Sequence, residues 1–294
     1  MVARRRSTVR LPAVTLCLLS VSAWGNPAAW HVNGEHGELW LLGSIHYLRE
    51  QDYPLPPRID ELYRQADTLV MELDLDDLDL SAVQATFMEV GILPASTTLR
   101  TVLAPRVYDL TESRAADLGM PLMLLEHLEP WLVALTLMDL GMNRLGYRAS
   151  QGLEQYLLRR SVADGKEILG LESLGDQISI FDSLSWADQE ALLLHTLTDL
   201  QAPEAAMSKL VADWRDGNLD ELALELTVDF EEFPELRTAI VSARNQRWAV
   251  KLEELLRSNG RYLVVVGALH LVGEDSVIEL LSARGLNVTS IREH

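Results

Sequence analysis

Two apolar runs, 224 residues apart, finish in the same way. Glu38-Leu39-Trp40-Leu41-Leu42 leads into Gly43-Ser44-Ile45-His46, and Tyr262-Leu263-Val264-Val265-Val266 leads into Gly267-Ala268-Leu269-His270. Short, continuous apolar runs of this kind read as buried strands. A histidine just past the C-terminal end of a buried strand stands where α/β proteins place their chemistry. No helical or hairpin spacing relates the two motifs. The simplest account is that one site is assembled from both ends of the chain.

The intervening pattern supports that reading. Ala29 to Val32 and Leu39 to Ile45 form a predicted hairpin around Asn33-Gly34. Pro56-Pro57 opens a helix with Ile59, Leu62, Tyr63 and Ala66 on one face, and Thr68-Leu69-Val70-Met71 is a strand that ends at Glu72. From about Leu75 to Phe233 the periodicity is helical, including single helices over 122–144 and 186–200, with one short strand at 167–170. A long helix is expected from Pro234 to Ser258. The second motif follows, then a helix over 274–284 and a strand over 287–291. Strand, Gly-x-x-His, helix and strand thus occur twice. The expected fold is α/β with an α+β character: a central β-sheet split between two related halves, with a large helical insertion. The core comprises 26–74 and 234–294, and the insertion 75–233.

Residues 1–25 read as a secretory signal. Arg4, Arg5, Arg6 and Arg10 form a basic head, Leu11 to Ser22 an apolar stretch too short to span a membrane, and Ala23-Trp24-Gly25 a small-x-small cleavage site. The expected location is periplasmic or extracellular. Cys17, the one cysteine, falls inside this leader. Its removal leaves no thiol for disulfides, thiolate ligands or nucleophilic catalysis. The chain carries a formal charge of −19, and −23 without the four leader arginines. Such a surface repels nucleic acid and anionic lipid. Glu126, His127, Glu129, Pro130 and Asp139 interrupt the most apolar helical stretch, so no stable membrane span is expected.

Imidazole is the commonest metal ligand and the commonest general base near neutral pH. His46 and His270, in matched contexts, are therefore the leading site candidates. Glu72 is the third, a carboxylate at a strand end on the same edge as His46. Arg244 and Asn245, near Trp248 on the long helix, could hold a carboxylate, an oxyanion or an amide. Glu154 in Gly152-Leu153-Glu154 and Glu172 in Gly170-Leu171-Glu172 are weaker candidates. His127 and His195 fall in helices, His31 and His36 flank the hairpin, and His294 is terminal. No His-Glu-x-x-His helix, Gly-x-Ser-x-Gly elbow or glycine-rich phosphate loop is present. Ser44 has no elbow around it.

Leu41-Leu42-Gly43-Ser44-Ile45-His46, Val70-Met71-Glu72-Leu73, the two Gly-Leu-Glu segments, Arg244-Asn245 with Trp248, and Val265-Val266-Gly267-Ala268-Leu269-His270 occur in an order that resembles the TraB/GumN family. The animal relatives of that family include the Tiki membrane proteases. The resemblance covers nearly all of the chain after the leader. It implies an α/β core of two related halves around a helical insertion. It also implies a metal-dependent hydrolase; because the Tiki relatives are peptidases, a peptide or protein substrate is the expectation for this chain. The implied site is His46, His270 and Glu72 around a divalent ion (manganese, cobalt or zinc), with Arg244 and Asn245 close by. Unlike the Tiki proteins, this chain is expected to carry no membrane anchor after its last strand. A non-catalytic ligand-, metal- or haem-binding protein and a metal-independent His/Glu esterase are the alternatives that the same residues would serve.

Overall fold

The computed structural model describes residues 25–77, 79–201, 204–227 and 233–291. Of the expected leader only Gly25 is among them, so that expectation, like His294, lies outside the described residues.

Six strands form one mixed sheet: β1 (Ala29–Asn33), β2 (Glu38–Ser44), β3 (Thr68–Leu73), β4 (Glu167–Glu172), β5 (Arg261–Gly267) and β6 (Asn287–Ser290). Their order across the sheet is β4-β3-β5-β2-β1-β6. β1 and β2 are the expected antiparallel hairpin, with Ala29 opposite Leu42 and Asn33 opposite Glu38. The neighbours β2, β5, β3 and β4 all run parallel. β2 and β5 are apolar on both faces because both faces are covered, the usual condition of central parallel strands. They lie side by side with Gly43 opposite Val266 and Ser44 opposite Gly267. The two Gly-x-x-His motifs therefore leave the sheet together, at the edge where β3 and β4 also end.

The connections interlock the halves. β2 passes through α1 (Pro57–Gln65) to β3, on the far side of β5. β5 passes through α13 (Val277–Ala283) to β6, on the far side of β2 and β1. α1 begins at Pro57, whose missing N–H costs nothing in a first turn, and buries Ile59, Leu62 and Tyr63. One sheet face packs Leu42, Leu69, Met71, Leu263 and Val265 against Ile59, Leu62, Leu157 and Trp214. The other packs Leu41, Val70, Val264 and Val266 against Trp248, Leu252 and Leu256 of α12 (Ala243–Leu256) and Val277 and Leu281 of α13.

The insertion contains α2 (Leu80–Val90), α3 (Leu99–Val102), α4 (Pro105–Asp117), α5 (Pro130–Arg144), α6 (Leu153–Asp164), α7 (Leu174–Asp182), α8 (Trp186–Asp199), α9 (Glu204–Asp216) and α10 (Leu219–Thr227). Its described residues form no strand besides β4, which extends the sheet beside β3. Leu99, Val107, Val133, Leu137, Leu193 and Leu197 give it a core of its own. It is nonetheless tied to the first motif, since Trp214 Nε1 donates to the Gly43 carbonyl at 2.7 Å.

Two expected helices differ in detail. The 122–144 pattern splits into a 3-10 turn at Leu122–Leu124 and α5, because Pro130 cannot donate within a helix and instead starts one. The helix expected over 234–258 comprises α11 (Pro234–Arg237), a π turn over Thr238–Ser242, and α12. No helix among the described residues is long and apolar enough to cross a membrane.

Candidate active site

Gly267 marks the centre of the site. A Cβ on this residue would lie 3.3 Å from Glu72 Oε1, 3.3 Å from His46 Nε2 and 3.6 Å from His270 Cδ2. Its lack of a side chain keeps open the space on which all three side chains converge. Its amide also donates to Glu72 Oε1 at 2.8 Å. The three residues come from the ends of β2, β3 and β5, so the parallel register of those strands sets their spacing.

Each histidine is held through Nδ1. His46 Nδ1 lies 2.7 Å from Glu154 Oε1, and Ser44 Oγ donates to the same oxygen. Glu154 sits in the first turn of α6, where a carboxylate is favoured by the helix dipole. Gly152 allows this approach, because a Cβ there would meet the His46 carbonyl at 2.2 Å. His270 Nδ1 lies 2.6 Å from Asn245 Oδ1, and Asn245 Nδ2 donates to the Asp275 carbonyl at 2.9 Å. That second bond fixes the amide with its oxygen toward the ring, so His270 carries its proton on Nδ1. Its Nε2 accepts from Arg244 Nη1 at 3.1 Å, and the ring packs on Trp248 with centroids 4.4 Å apart.

Arg244 is buried against two glutamates. Nη2 donates to Glu72 Oε2 and to Glu172 Oε1, each at 2.5 Å, and Nε donates to both Glu172 oxygens at 3.1 and 3.2 Å. Trp248 Nε1 reaches Glu172 Oε2 at 3.3 Å, and Gln177 of α7 donates to Glu72 Oε2 at 3.3 Å. Gly170 lets β4 close on the chain after β3, where a Cβ would meet the Asp74 amide at 2.7 Å. Both Gly-Leu-Glu segments thus combine a close backbone approach with a glutamate aimed into the site.

The electrostatics differ around the three central groups. The Glu154 carboxylate raises the His46 pKa to about 9 against the effect of desolvation. Burial, helped by the Arg244 charge, pushes His270 down to about 4. Burial would raise Glu72, but His270 when protonated, Arg244, His46 and the Gly267 amide outweigh it and bring it to about 2. Near neutral pH the site therefore holds an ionised Glu72, a neutral His270 and a protonated His46.

The five leading candidates from sequence, His46, Glu72, Arg244, Asn245 and His270, meet here, and so do the two weaker ones, Glu154 and Glu172. Ser44, Glu154, Glu172, Gln177 and Trp248 complete the network. The repeated Gly-Leu-Glu pattern was the available signal for two of them, while Gln177 carried none. His31 instead pairs with Glu38 and stacks on Trp40, and His195 lies beside Asp199.

Donor type and orientation at Glu72 Oε1 and His46 Nε2 fit a divalent cation. His270 Nε2 is engaged by Arg244 Nη1, and the three ligand atoms do not all lie within 4.8 Å of one another. Among the described residues, the one His/Asp/Glu trio with ligand atoms all within 4.8 Å of one another is elsewhere, at Asp213, Glu221 and Glu225. There the Lys209 ammonium sits 2.7, 2.8 and 2.6 Å from the three carboxylates, so that cluster already has its cation.

The model of the TraB/PrgY/gumN family matches residues 28–290, and the chain belongs to that family. It is similar to the uncharacterized protein YbaP of Escherichia coli, at 27% identity over 82% of this chain and 86% of that one. It is also similar to an uncharacterized protein of Treponema pallidum, at 24% identity over 87% of this chain and 80% of the relative. No solved structure matches it significantly.

Proposed function

We propose that this member of the TraB/PrgY/gumN family is an exported, metal-dependent hydrolase acting on peptides. The observation that carries the reading is the convergence of His46 Nε2, Glu72 Oε1 and the His270 ring on the space above Gly267. Both histidines are held at Nδ1, by a carboxylate and by an amide, as ligands oriented by a second set of residues are, and His46 also turns Nε2 toward the shared space. Peptides are the substrate class that the resemblance to the Tiki proteases suggests.

A divalent ion held by His46, Glu72 and His270 would polarise a carbonyl and lower the pKa of water. The rest is done by the chain itself. Glu72 presents Oε1 to the shared space, as a ligand or as the acceptor of the water proton, while Arg244 and Gln177 close off Oε2. His270 is neutral, as a ligand must be. His46 keeps a proton on Nε2 near neutral pH, so a proton and an ion are alternative occupants of that atom. Ion uptake on all three residues should release this proton and weaken as pH falls. Ser44 donates to Glu154 and not to His46, which argues against a serine nucleophile.

The test is cleavage of a peptide library by the purified protein, with chelator and then with manganese, cobalt or zinc added back. Cleavage abolished by chelator and restored by one ion is expected. Cleavage that survives chelation would move the assignment to a metal-independent esterase-like hydrolase. Ion binding without cleavage of any substrate would leave a binding protein.

A further inference from the structure

Arg244 is the group that sequence reasoning would give to the substrate, as a clamp for a carboxylate or oxyanion. A count of its donors gives it a different task. A guanidinium has five N–H groups and no acceptor. Nε–H goes to Glu172. The two Nη1 hydrogens go to the Ile240 carbonyl at 3.2 Å and to His270 Nε2 at 3.1 Å. The two Nη2 hydrogens go to Glu72 Oε2 and Glu172 Oε1, both at 2.5 Å. Every donor ends on the protein, the side chain is only 8% exposed, and one face of the guanidinium covers the Trp248 ring at 4.5 Å.

The π turn contributes directly. The π turn spans Thr238–Ser242, and within it the Ile240 carbonyl accepts from Arg244 Nη1. π turns of this kind recur at functional sites.

We infer that Arg244 is a positioning residue that makes no contact with substrate. Glu172 anchors it, with help from Trp248 and the π turn. From there it fixes the orientation of Glu72 through Oε2, which leaves Oε1 facing the shared space. Together with Asn245 it also fixes His270 as the Nδ1–H tautomer. Of its five donors, only the Nη1 hydrogen on His270 would have to yield when His270 takes a ligand at Nε2. The kinetic part of this inference rests on the hydrolase reading above; the tautomer does not.

The first measurement uses the wild-type chain, chelated and labelled with nitrogen-15. Long-range proton–nitrogen spectra should show His270 protonated at Nδ1 and bare at Nε2. Protonation at Nε2 would mean that Arg244 cannot donate there, which frees a donor for substrate and overturns the inference. The second uses Glu172→Gln, which keeps the volume and removes the main anchor without touching the shared space. An Nε2–H population of His270 should appear. On a peptide that the wild type cleaves, kcat should drop roughly 10–100-fold, as for other groups that orient ligands, with KM within about twofold. Arg244→Lys, with three donors for the same acceptors, should give the same split. A rise in KM at constant kcat in Arg244→Lys, or an unaltered His270 ring and kcat in Glu172→Gln, would return Arg244 to the substrate. If no peptide is cleaved the hydrolase reading fails, and the His270 spectra of wild type and Glu172→Gln still decide the role of Arg244.

Discussion

The two Gly-x-x-His motifs sit on adjacent parallel strands and end at one edge, yet their histidines are prepared in opposite ways. His46 is half-exposed, at 56% of its side-chain surface, and leans on a carboxylate that keeps it charged. His270 is 4% exposed, leans on an amide, and is kept neutral by burial with help from the guanidinium it faces. The glycines differ as well. Gly43 is a point of close packing, where a Cβ would lie 3.2 Å from the Ala268 Cα, whereas Gly267 keeps the site open. A repeated motif has thus supplied two half-sites: one fixed and neutral, the other solvated and able to exchange a proton.

Glu72 is the residue both halves share, so its removal has the largest expected effect. Glu72→Gln should lower the rate by on the order of a hundredfold or more, whether Glu72 is ligand or base. The stability change carries its own sign. A carboxylate held at about 2 in the fold, against an ordinary 4.5, stabilises the protein above the ordinary value and loses that contribution as pH falls toward 2. The variant should therefore melt lower than wild type at neutral pH, by roughly 1–3 kcal/mol, and the gap should close in acid. Unchanged activity with an unchanged melting curve would remove Glu72 from the site.

The glycine contrast can be tested by two single methyl groups. Gly267 has φ −49° and ψ 136°, which alanine adopts without strain. In Gly267→Ala the new methyl fills the space between Glu72 Oε1 and His46 Nε2. Activity or ion affinity should fall on the order of tenfold or more, with the melting temperature nearly kept. Gly43→Ala should do the reverse: the new methyl presses on the backbone of the second motif and lowers stability by roughly 1–3 kcal/mol. Equal thermal losses in both would mean that the two glycines share a packing role.

Much of this arrangement was legible in the chain. Each Gly-x-x-His follows an apolar run long enough to be a strand, and Glu72 is the first charge after Thr68-Leu69-Val70-Met71, so strand ends and polar groups coincide in one dimension. The π turn was not legible, because Thr238-Ala239-Ile240-Val241-Ser242 reads as ordinary helix, and the bond from the Arg244 side chain to the Ile240 carbonyl appears only in the fold. Nor was the anchoring by Glu154 and Glu172. A glutamate in the first turn of α6 and another at the end of an edge strand look solvated until the fold closes His46 over one and Arg244 over the other. The periodicity of α5 was clear, while its start depended on Pro130.

The burial contrast predicts unequal costs for losing each ring. His270→Gln removes a buried ring that bonds Asn245, accepts from Arg244 and packs on Trp248, so it should cost roughly 1–3 kcal/mol in denaturant unfolding. His46→Gln loses an exposed ring and one ion pair, and should cost less than about 1 kcal/mol. If the two values coincide, the exposed and buried halves are energetically alike and the division proposed above fails.

The smallest effect is on proton affinity alone. Glu154 is the first cause of the raised His46 pKa, and Glu154→Gln keeps a hydrogen-bonding group of the same shape while removing the charge. His46, followed by proton NMR of its ring, should then titrate well below about 9, toward its ordinary 6.5. His270 should be unmoved, near 4, because its own low value comes from burial and the Arg244 charge. The stability consequence has a definite sign. A histidine raised in the fold stabilises the protein below its unfolded pKa, and that contribution fades as pH climbs through the folded value. The wild type should therefore lose this increment between about pH 6.5 and 9, and Glu154→Gln should show a flatter profile there. His270 has the opposite sign, since its depressed pKa costs stability as pH falls from 6.5 toward 4. A wild-type His46 that titrates near 6.5, with no slope on the alkaline side, would erase the electrostatic difference between the halves and leave solvent exposure as the one that remains.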